Sequence, residues 1–442
     1  MANIGFISLG CAKNQVDCER MMYRVQEAGF TVQPDVVGCD AVVINTCGFI
    51  DSAKSEAIDH ILQMGQLKEQ GLVGKILVTG CLSQRYQQDI LMEMPEVDGI
   101  LGTGSYTEIV PALEKILSGE TVQDFGSIDA PEVETGRILT TPEHYAFIKI
   151  AEGCDNRCAY CIIPYLRGKF RSRQMDDVLY EARMLAASGI KELIVVAQDT
   201  SRYGTDFPEH KRLLPELLRQ LCQIDGLQWI RLHYVYPDEI DDALIQVMAE
   251  EPKIVKYLDI PIQHCNSKIL KLMNRRGDGA FLRELFAKLR RNIPGLVLRT
   301  SVITGLPGEG EEEFRELCEF LKEQRLERVG AFPFSPEDGT PAAEMEFVDN
   351  DIAQERAQMV ESIQSRIMDD YNASMIGQTL DVLIDGYDEE FTQFFGRTYA
   401  DSPDIDGRVW IASEESLVEG SFVKVCIDGL IDGDLSGYLV EE

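Results

Sequence analysis

Apolar runs of strand length alternate with helix-compatible stretches through most of this chain, and the texture changes twice. In the first 118 residues three such runs, "NIGFISLGC", "DAVVINTC" and "KILVTGC", end in Cys11, Cys47 and Cys81, and a helix-compatible stretch follows each. Strands that recur with helices between them, roughly 35 residues apart, predict βαβ steps and a parallel sheet. Sites in such sheets form beyond the carboxyl ends of the strands, so the three cysteines are expected to converge there. Cys39 lies at the opposite end of its strand and Cys18 within the following helix, so neither fits the pattern.

Residues 119–140 are polar and turn-rich and read as a linker. From about 141 to 341 six more apolar strands follow: "YAFIKIAEG", "ELIVVAQDT", "WIRLHYVYP", "KYLDIPIQH", "LRTSVITGLPGE" and "RVGAFPFSP". Helical stretches such as 175–188 and 280–291 separate them. Six βα units predict a partial, TIM-like parallel barrel with its functional residues at strand C-terminal ends. Residues 345–374 are amphipathic and helical. From 375 the chain turns to short strands with Gly and Asp turns, which predicts a small antiparallel β-barrel of OB-like type. The expected class is therefore α/β, with units at 2–118, 140–372 and 375–442.

Composition agrees with several domains. A chain of 442 residues is too long for one core. No run of 18 apolar residues predicts a membrane span. The N-terminal "MANIGFISLGCAKN" reads as a first strand, not a signal peptide. Twelve cysteines are too sparse for a disulfide scaffold and point to metal or catalysis in a reducing cytoplasm. Net charge is −33, from 75 acidic and 42 basic residues, which argues against a broad phosphate-binding surface. The acidity is concentrated: residues 375–442 hold 16 acidic and 3 basic residues, a pattern that favours a basic partner or serves solubility alone.

The sharpest chemical signal is C-D-N-R-C-A-Y-C, which places Cys154, Cys158 and Cys161 right after the first barrel strand. Three thiolates at this spacing suit three irons of a cubane [4Fe–4S] cluster and leave the fourth iron open to a small molecule. Zinc would want a fourth ligand, and no His lies nearby. Cys18, Cys39, Cys222, Cys265, Cys318 and Cys426 read as buried thiols.

The spacing of this triplet, with Tyr160 before its third Cys, resembles that of the radical S-adenosylmethionine (SAM) enzymes. The order Cys11, Cys47, Cys81 and then the triplet resembles, across the whole chain, the radical SAM methylthiotransferases. The segments "GFISLGCAKNQVDCERM", "INTCGFIDSAK", "KIAEGCDNRCAYCIIPYLRGKFRSR", "AQDTSRYGTD", "LHYVYP", "IPIQH" and "YADSPDIDGRV" look like the branch that modifies an aspartate of small ribosomal subunit protein twelve. The family usually ends the segment after the fifth strand in "PGET", where this chain has Gly308, Glu309 and Gly310, and Phe334 and Pro336 also depart from its usual pattern.

The resemblance implies a methylthiotransferase domain, a radical SAM core and a C-terminal TRAM domain. It implies two [4Fe–4S] clusters as metal sites, on Cys11, Cys47 and Cys81 and on Cys154, Cys158 and Cys161. SAM would serve as radical source and methyl donor, with sulfide or polysulfide as sulfur donor and a flavodoxin- or ferredoxin-type electron donor. The reaction implied is β-methylthiolation of the aspartate, and the partner a basic ribosomal protein or the assembled subunit. The enzyme is expected to be a cytoplasmic monomer. A tRNA methylthiotransferase is the alternative, disfavoured because the terminal domain offers only Arg397, Arg408 and Lys424 for phosphates; an iron–sulfur carrier would leave the barrel without a purpose.

SAM contacts are expected at Tyr160, Gln198, Gln263, Gly305 and Glu309. Tyr160 either packs beside the adenine or is a core aromatic, and Gly305, Gly308 and Glu309 form either a ligand-approach turn or a tight βα turn. Asp199 and His264 are polar at the same rim, where strand-end residues also serve as caps. Arg167, Arg171 and Arg173 bind either a carboxylate of SAM or substrate, or form surface ion pairs.

Overall fold

The computed structural model describes residues 2–440. The first sheet contains β1 (Asn3–Ser8), β2 (Thr31–Gln33), β3 (Ala41–Thr46), β4 (Lys75–Gly80), β5 (Gly99–Leu101) and β6 (Val122–Asp124), in the order β2-β1-β3-β4-β5-β6. Every pairing in it is parallel. All six residues of β3 are buried, as expected of a strand covered on both faces. The segment expected as a linker contributes β6 to this sheet before it crosses to the next unit.

The central unit begins with β7 (Tyr145–Lys149) and a short hairpin of β8 (Ala151–Glu152) with β9 (Arg171–Ser172). It continues through β10 (Glu192–Val196), β11 (Trp229–Leu232), β12 (Ile254–Asp259), β13 (Val297–Thr304) and β14 (Arg328–Pro333). The order β14-β13-β12-β11-β10-β7 is parallel throughout and open between its ends. These six strands are the six expected from the apolar runs. The helices Met175–Ala187 and Gly279–Asn292 match the expected ranges closely, and the long helix Asn350–Ala373 packs against β14 and β13.

The C-terminal strands β15 (Thr379–Asp388), β16 (Gln393–Arg397), β17 (Val409–Ala412), β18 (Phe422–Ile431) and β19 (Asp434–Leu439) close into a barrel. Four of its pairings are antiparallel, and β17 with β19 is parallel. A ring of five strands cannot alternate direction all the way round, so one parallel pair is a geometric necessity.

The segment between β16 and β17 enters the interior of the parallel barrel. Arg397 shares Glu192 with Arg231, at 2.7 Å from each, and all three side chains are buried. Asp401 accepts from Arg328 at 2.9 Å, Tyr257 donates to Asp406 at 2.7 Å, and the Ser402 hydroxyl lies 3.2 Å from His233 Nε2. The acidic motif "YADSPDID" therefore turns Asp401 and Asp406 inward onto barrel cations and phenols. It does not present them as an acidic turn for a cationic partner.

The helix Ala12–Glu27 explains how the first sheet meets the barrel. Cys18, Met21 and Val25 face the sheet core, whereas Val16 packs against Tyr145, Phe147, Ile194 and Val196 of the barrel. With both faces covered, its charged residues are buried too and must be paired. Glu19 accepts from Arg137 at 3.0 Å, and Glu181 lies against Arg137, Arg173 and Arg20.

This clasp makes stability pH-dependent. Burial works to raise the Glu181 carboxyl, but Arg173, Arg137 and Arg20 outweigh it and bring it down to about 2. A depressed carboxyl contributes stability that is present above its unfolded value and is lost as pH falls toward its folded value. Glu181→Gln should therefore lose about 3 kcal/mol at neutral pH. Denaturant midpoints of variant and parent should converge as pH falls from about 4.5 to about 2.

Candidate active site between sheet and barrel

Cys11, Cys47 and Cys81 follow β1, β3 and β4, which are neighbours in the sheet. The strand ends are drawn tightly together. Gly10 has φ +90, and a Cβ there would lie 2.7 Å from Cys47 Cβ; a Cβ at Gly48 would lie 2.8 Å from the Leu82 nitrogen. Gly80, at φ +99, brings the end of β4 against the Thr46 carbonyl. Convergence thus depends on glycines beside the cysteines as much as on the strands.

Cys154, Cys158 and Cys161 lie on the loop after β8, as the barrel rule requires. The Tyr236 hydroxyl is 2.6 Å from Cys158 Sγ, and Arg275 stacks over the Tyr236 ring at 4.3 Å with Nη1 3.8 Å from the same sulfur. All twelve cysteines are free. Among the described residues, neither cysteine triplet has its three sulfurs mutually within 4.8 Å.

The two triplets are neighbours. Cys81 packs with Ile162 and Leu166, and Ile162 directly follows Cys161. Arg167 is the fastener: its Nε lies 3.3 Å from Cys81 Sγ, Nη2 donates to Asn14 at 2.9 Å and Nη1 reaches Glu152 at 3.1 Å and Asp17. Lys149 adds a 2.8 Å contact to Glu152 and a second to Asp17. Arg167 and Arg173 are thus buried interface residues, neither ligand clamps nor surface pairs; Arg171 donates to the Lys169 carbonyl at 2.6 Å. Asp17, Glu132 and Glu152 could together hold an ion, but Lys149 and Arg167 already neutralise them.

Electrostatics differ between the thiols. Burial pushes Cys154 up to about 11 and Cys47 up to about 12, and raises Cys81 and Cys161 as well, with neighbouring thiols adding to it. Burial also works to raise Cys11, but Lys13 and Arg167 outweigh it and leave that thiol below its ordinary value. Ionising Cys47, Cys81, Cys154 and Cys161 in place calls for a cation, so iron binding should release protons.

The expected SAM contacts separate into two kinds. Gln198 follows β10, donates to Glu152 at 2.5 Å and leaves its own carbonyl oxygen buried without a partner. Gln263 sits at φ +68 in a bridge to Val302, which makes its backbone part of the barrel mouth. Tyr160 packs with Ala159, Ile269 and Met273, and Arg275 lies 3.5 Å from its hydroxyl. Gly305 and Glu309 are different. A Cβ at Gly305 would lie 2.5 Å from Ala353 Cβ, so the glycine admits the long helix. Glu309 accepts from Gly305 N and Arg356, each at 2.8 Å, which ties the same turn to the same helix. Asp199 caps the turn that follows it and accepts from Asn156 at 2.7 Å; His264 faces Glu309 at 3.3 Å.

Sequence reasoning passed over Lys13, Tyr234, Tyr236, Asp259, Arg275 and Arg299. The strand-end rule that drew attention to Gln198 and Gln263 also covers Tyr234, Tyr236 and Asp259, in "LHYVYP" and "YLDIPIQH".

A cysteine-triplet loop on an open parallel barrel defines a radical SAM enzyme, and residues 148–321 match the radical SAM superfamily. Residues 3–102 match an uncharacterized protein family, UPF0004, and residues 376–440 the TRAM domain. Solved structures share the fold: radical S-adenosylmethionine methyltransferase TsrM from Kitasatospora setae (TM-score 0.56, 14% identity, 76% of this chain and 75% of that one), and the cobalamin-dependent S-adenosylmethionine radical enzyme OxsB (TM-score 0.53, 13%, 82% and 56%). Curated relatives named ribosomal protein uS12 methylthiotransferase RimO cover nearly the whole chain. That of Lachnoclostridium phytofermentans is 47% identical over 436 residues, 98% of this chain and 99% of the relative. That of Thermoanaerobacter sp. is 45% identical, over 99% and 100%. The chain belongs to the RimO family of radical SAM methylthiotransferases. It is thus an enzyme, a transferase whose cofactors include an iron–sulfur centre and SAM. Among the described residues no helix is long and apolar enough to cross a membrane.

Gly10→Ala should displace Cys47 and spare the triplet on the barrel. In anaerobically reconstituted protein, bound iron should fall by about half if each triplet holds one cubane. Iron and sulfide assay with Mössbauer spectroscopy would check it.

Proposed function

We propose that this enzyme methylthiolates the β-carbon of an aspartate in ribosomal protein uS12, with two [4Fe–4S] clusters, SAM, and sulfide or polysulfide as sulfur donor. The observation that carries the reading is the packing of two three-cysteine sites against each other through Cys81, Ile162 and Arg167. Each site offers three thiolates to a cubane, so each keeps one coordination position for a small molecule. Cys154, Cys158 and Cys161 would hold the cluster, which with SAM would supply one-electron radical chemistry suited to an unactivated Cβ–H bond that no side-chain base removes. Tyr236 and Arg275 orient Cys158. Tyr160, Gln198 and Gln263 would contact SAM; the buried, unpaired side-chain oxygen of Gln198 supports a role as an acceptor there. Gly305 and Glu309 act on SAM by fixing the turn after β13. A site between two domains, bordered by buried ion pairs, is where a shared reaction centre is expected.

The substrate reading rests on the relatives' name and on charge. A ribosomal protein is basic, and an acidic terminal domain steers it. In that domain Arg397 is buried, Arg408 lies over the Phe395 and Trp410 rings, and Lys424 pairs with Asp381 at 2.7 Å. Its cations are therefore already engaged, which speaks against tRNA. The units are 2–118, 140–372 and 375–442, with β6 added to the first sheet from the connection between them. The enzyme works as a cytoplasmic monomer with a flavodoxin- or ferredoxin-type electron donor, on free uS12 or on the assembled subunit.

Reconstituted enzyme given SAM, reductant, sulfide and either a uS12 loop peptide or bulk tRNA should add one methylthio group to the peptide aspartate, read by mass spectrometry. The same addition to tRNA alone would overturn the substrate. Cys158→Ala with Cys161→Ala should abolish 5′-deoxyadenosine formation. Cys47→Ala should keep it and lose methylthiolation.

A further inference from the structure

Around the strand ends that carry the cysteine sites, nearly every cation is already committed. Arg167 is held by Asp17, Glu152 and Asn14. Lys149 is held by Asp17, Glu132 and Glu152. Arg299 binds Asp259 at 2.6 Å and faces Asp406 at 3.6 Å. Arg275 donates to the Pro261 carbonyl and stacks on Tyr236.

Lys13 is the exception. It opens the helix that follows Cys11 and is only partly buried. Its ammonium lies 4.7 Å above the centre of the Tyr234 ring, at the C-terminal end of β11. Cys11, Tyr234 and Glu152 are the negative or ionisable groups that act on it, through space. Among the described residues no carboxylate or carbonyl accepts a hydrogen bond from it. A cation over an aromatic face, with its three donors unused, is a ready receptor for an anion.

We propose that Lys13 receives the carboxylate of the target aspartate and is a substrate-binding and specificity residue. This rests on the reading of the enzyme as an aspartate methylthiotransferase. The carboxylate is bonded directly to the reacting Cβ, so its receptor must stand beside the place where sulfur is delivered. Lys13 does so, because it is two residues from Cys11. The Tyr234 ring beneath the ammonium limits its swing and fixes the direction of approach. Asn presents an amide of the same shape without the charge, so Lys13 would discriminate against it by the loss of a charge-assisted hydrogen bond.

The test is peptide affinity in the reconstituted full-length enzyme with SAM, read by fluorescence anisotropy. It compares a uS12 loop peptide carrying the aspartate with a twin carrying asparagine. The parent enzyme should prefer the aspartate peptide. Lys13→Met should weaken that peptide roughly 10- to 100-fold and the asparagine twin little, so the preference disappears. Lys13→Arg should keep the preference. Retained binding of the asparagine twin shows that a variant is folded. Unchanged preference in Lys13→Met, or equal loss of both peptides in Lys13→Met and Lys13→Arg, would overturn the inference. Methylthiolation of the peptide by the parent is measured alongside. If the parent modifies the peptide and Lys13→Met keeps its preference, Lys13 alone is wrong. If the parent neither binds nor modifies it, the aspartate reading falls, and the role of Lys13 with it.

Discussion

The buried contact of Arg167 with Asp17, Glu152, Asn14 and Cys81 is the constraint on which the site depends. Its worth is not mainly stability. A buried ion pair gains little over apolar residues of the same volume, although removal of one partner costs about 3–5 kcal/mol. Its worth is direction. Apolar contact between the helix Ala12–Glu27 and the barrel wall, through Val16 and Phe147, would tolerate sliding. A guanidinium fork aimed at two carboxylates, an amide and a thiol does not. The same side chain touches Cys81 of one triplet and follows Cys161 of the other by six residues, so docking of the domains and spacing of the two cysteine sites are one event.

The barrel is held at its other end by a different device. An open six-stranded parallel barrel leaves polar residues such as Arg231, His233 and Tyr257 in its interior, and each must find a partner. The segment after β16 supplies them through the Tyr399 carbonyl, Ser402 and Asp406. The terminal barrel is therefore anchored through the core of the catalytic unit, not carried on a flexible tether. Its acidic surface keeps a fixed bearing relative to the cysteine sites, as steering of a partner toward them would require.

Much of this was legible in the chain. The apolar runs located the core strands of both sheets because parallel strands buried on two faces read as unbroken hydrophobic segments. Cys11, Cys47 and Cys81 were legible because strand ends are points that topology brings together. What escaped had long-range causes. Arg167 reads as a carboxylate binder or a surface ion pair until Asp17, 150 residues away, is placed beside it. The inward turn of "YADSPDID" escapes because nothing local reveals the barrel interior into which it folds. Gly305 reads equally as a ligand turn or a tight βα turn because Ala353, whose Cβ it makes room for, lies on a distant helix. The three-residue strand β6 is too short to carry a periodic signal.

Charge ties the surface to the cavity. The interior cations are matched to interior acids, so the excess of 75 acidic over 42 basic residues is displayed outward. A basic substrate protein is drawn by that field but would, on the same grounds, be poor at presenting its one acidic reacting group to an acidic enzyme. The reversal has to be local. At Lys13 the sign changes, beside Tyr234 and Cys11, where a single charge acts at short range. Long-range attraction of the whole substrate and short-range capture of its carboxylate thus call for opposite charges, and the chain separates them by putting one on its surface and the other at the mouth of the barrel.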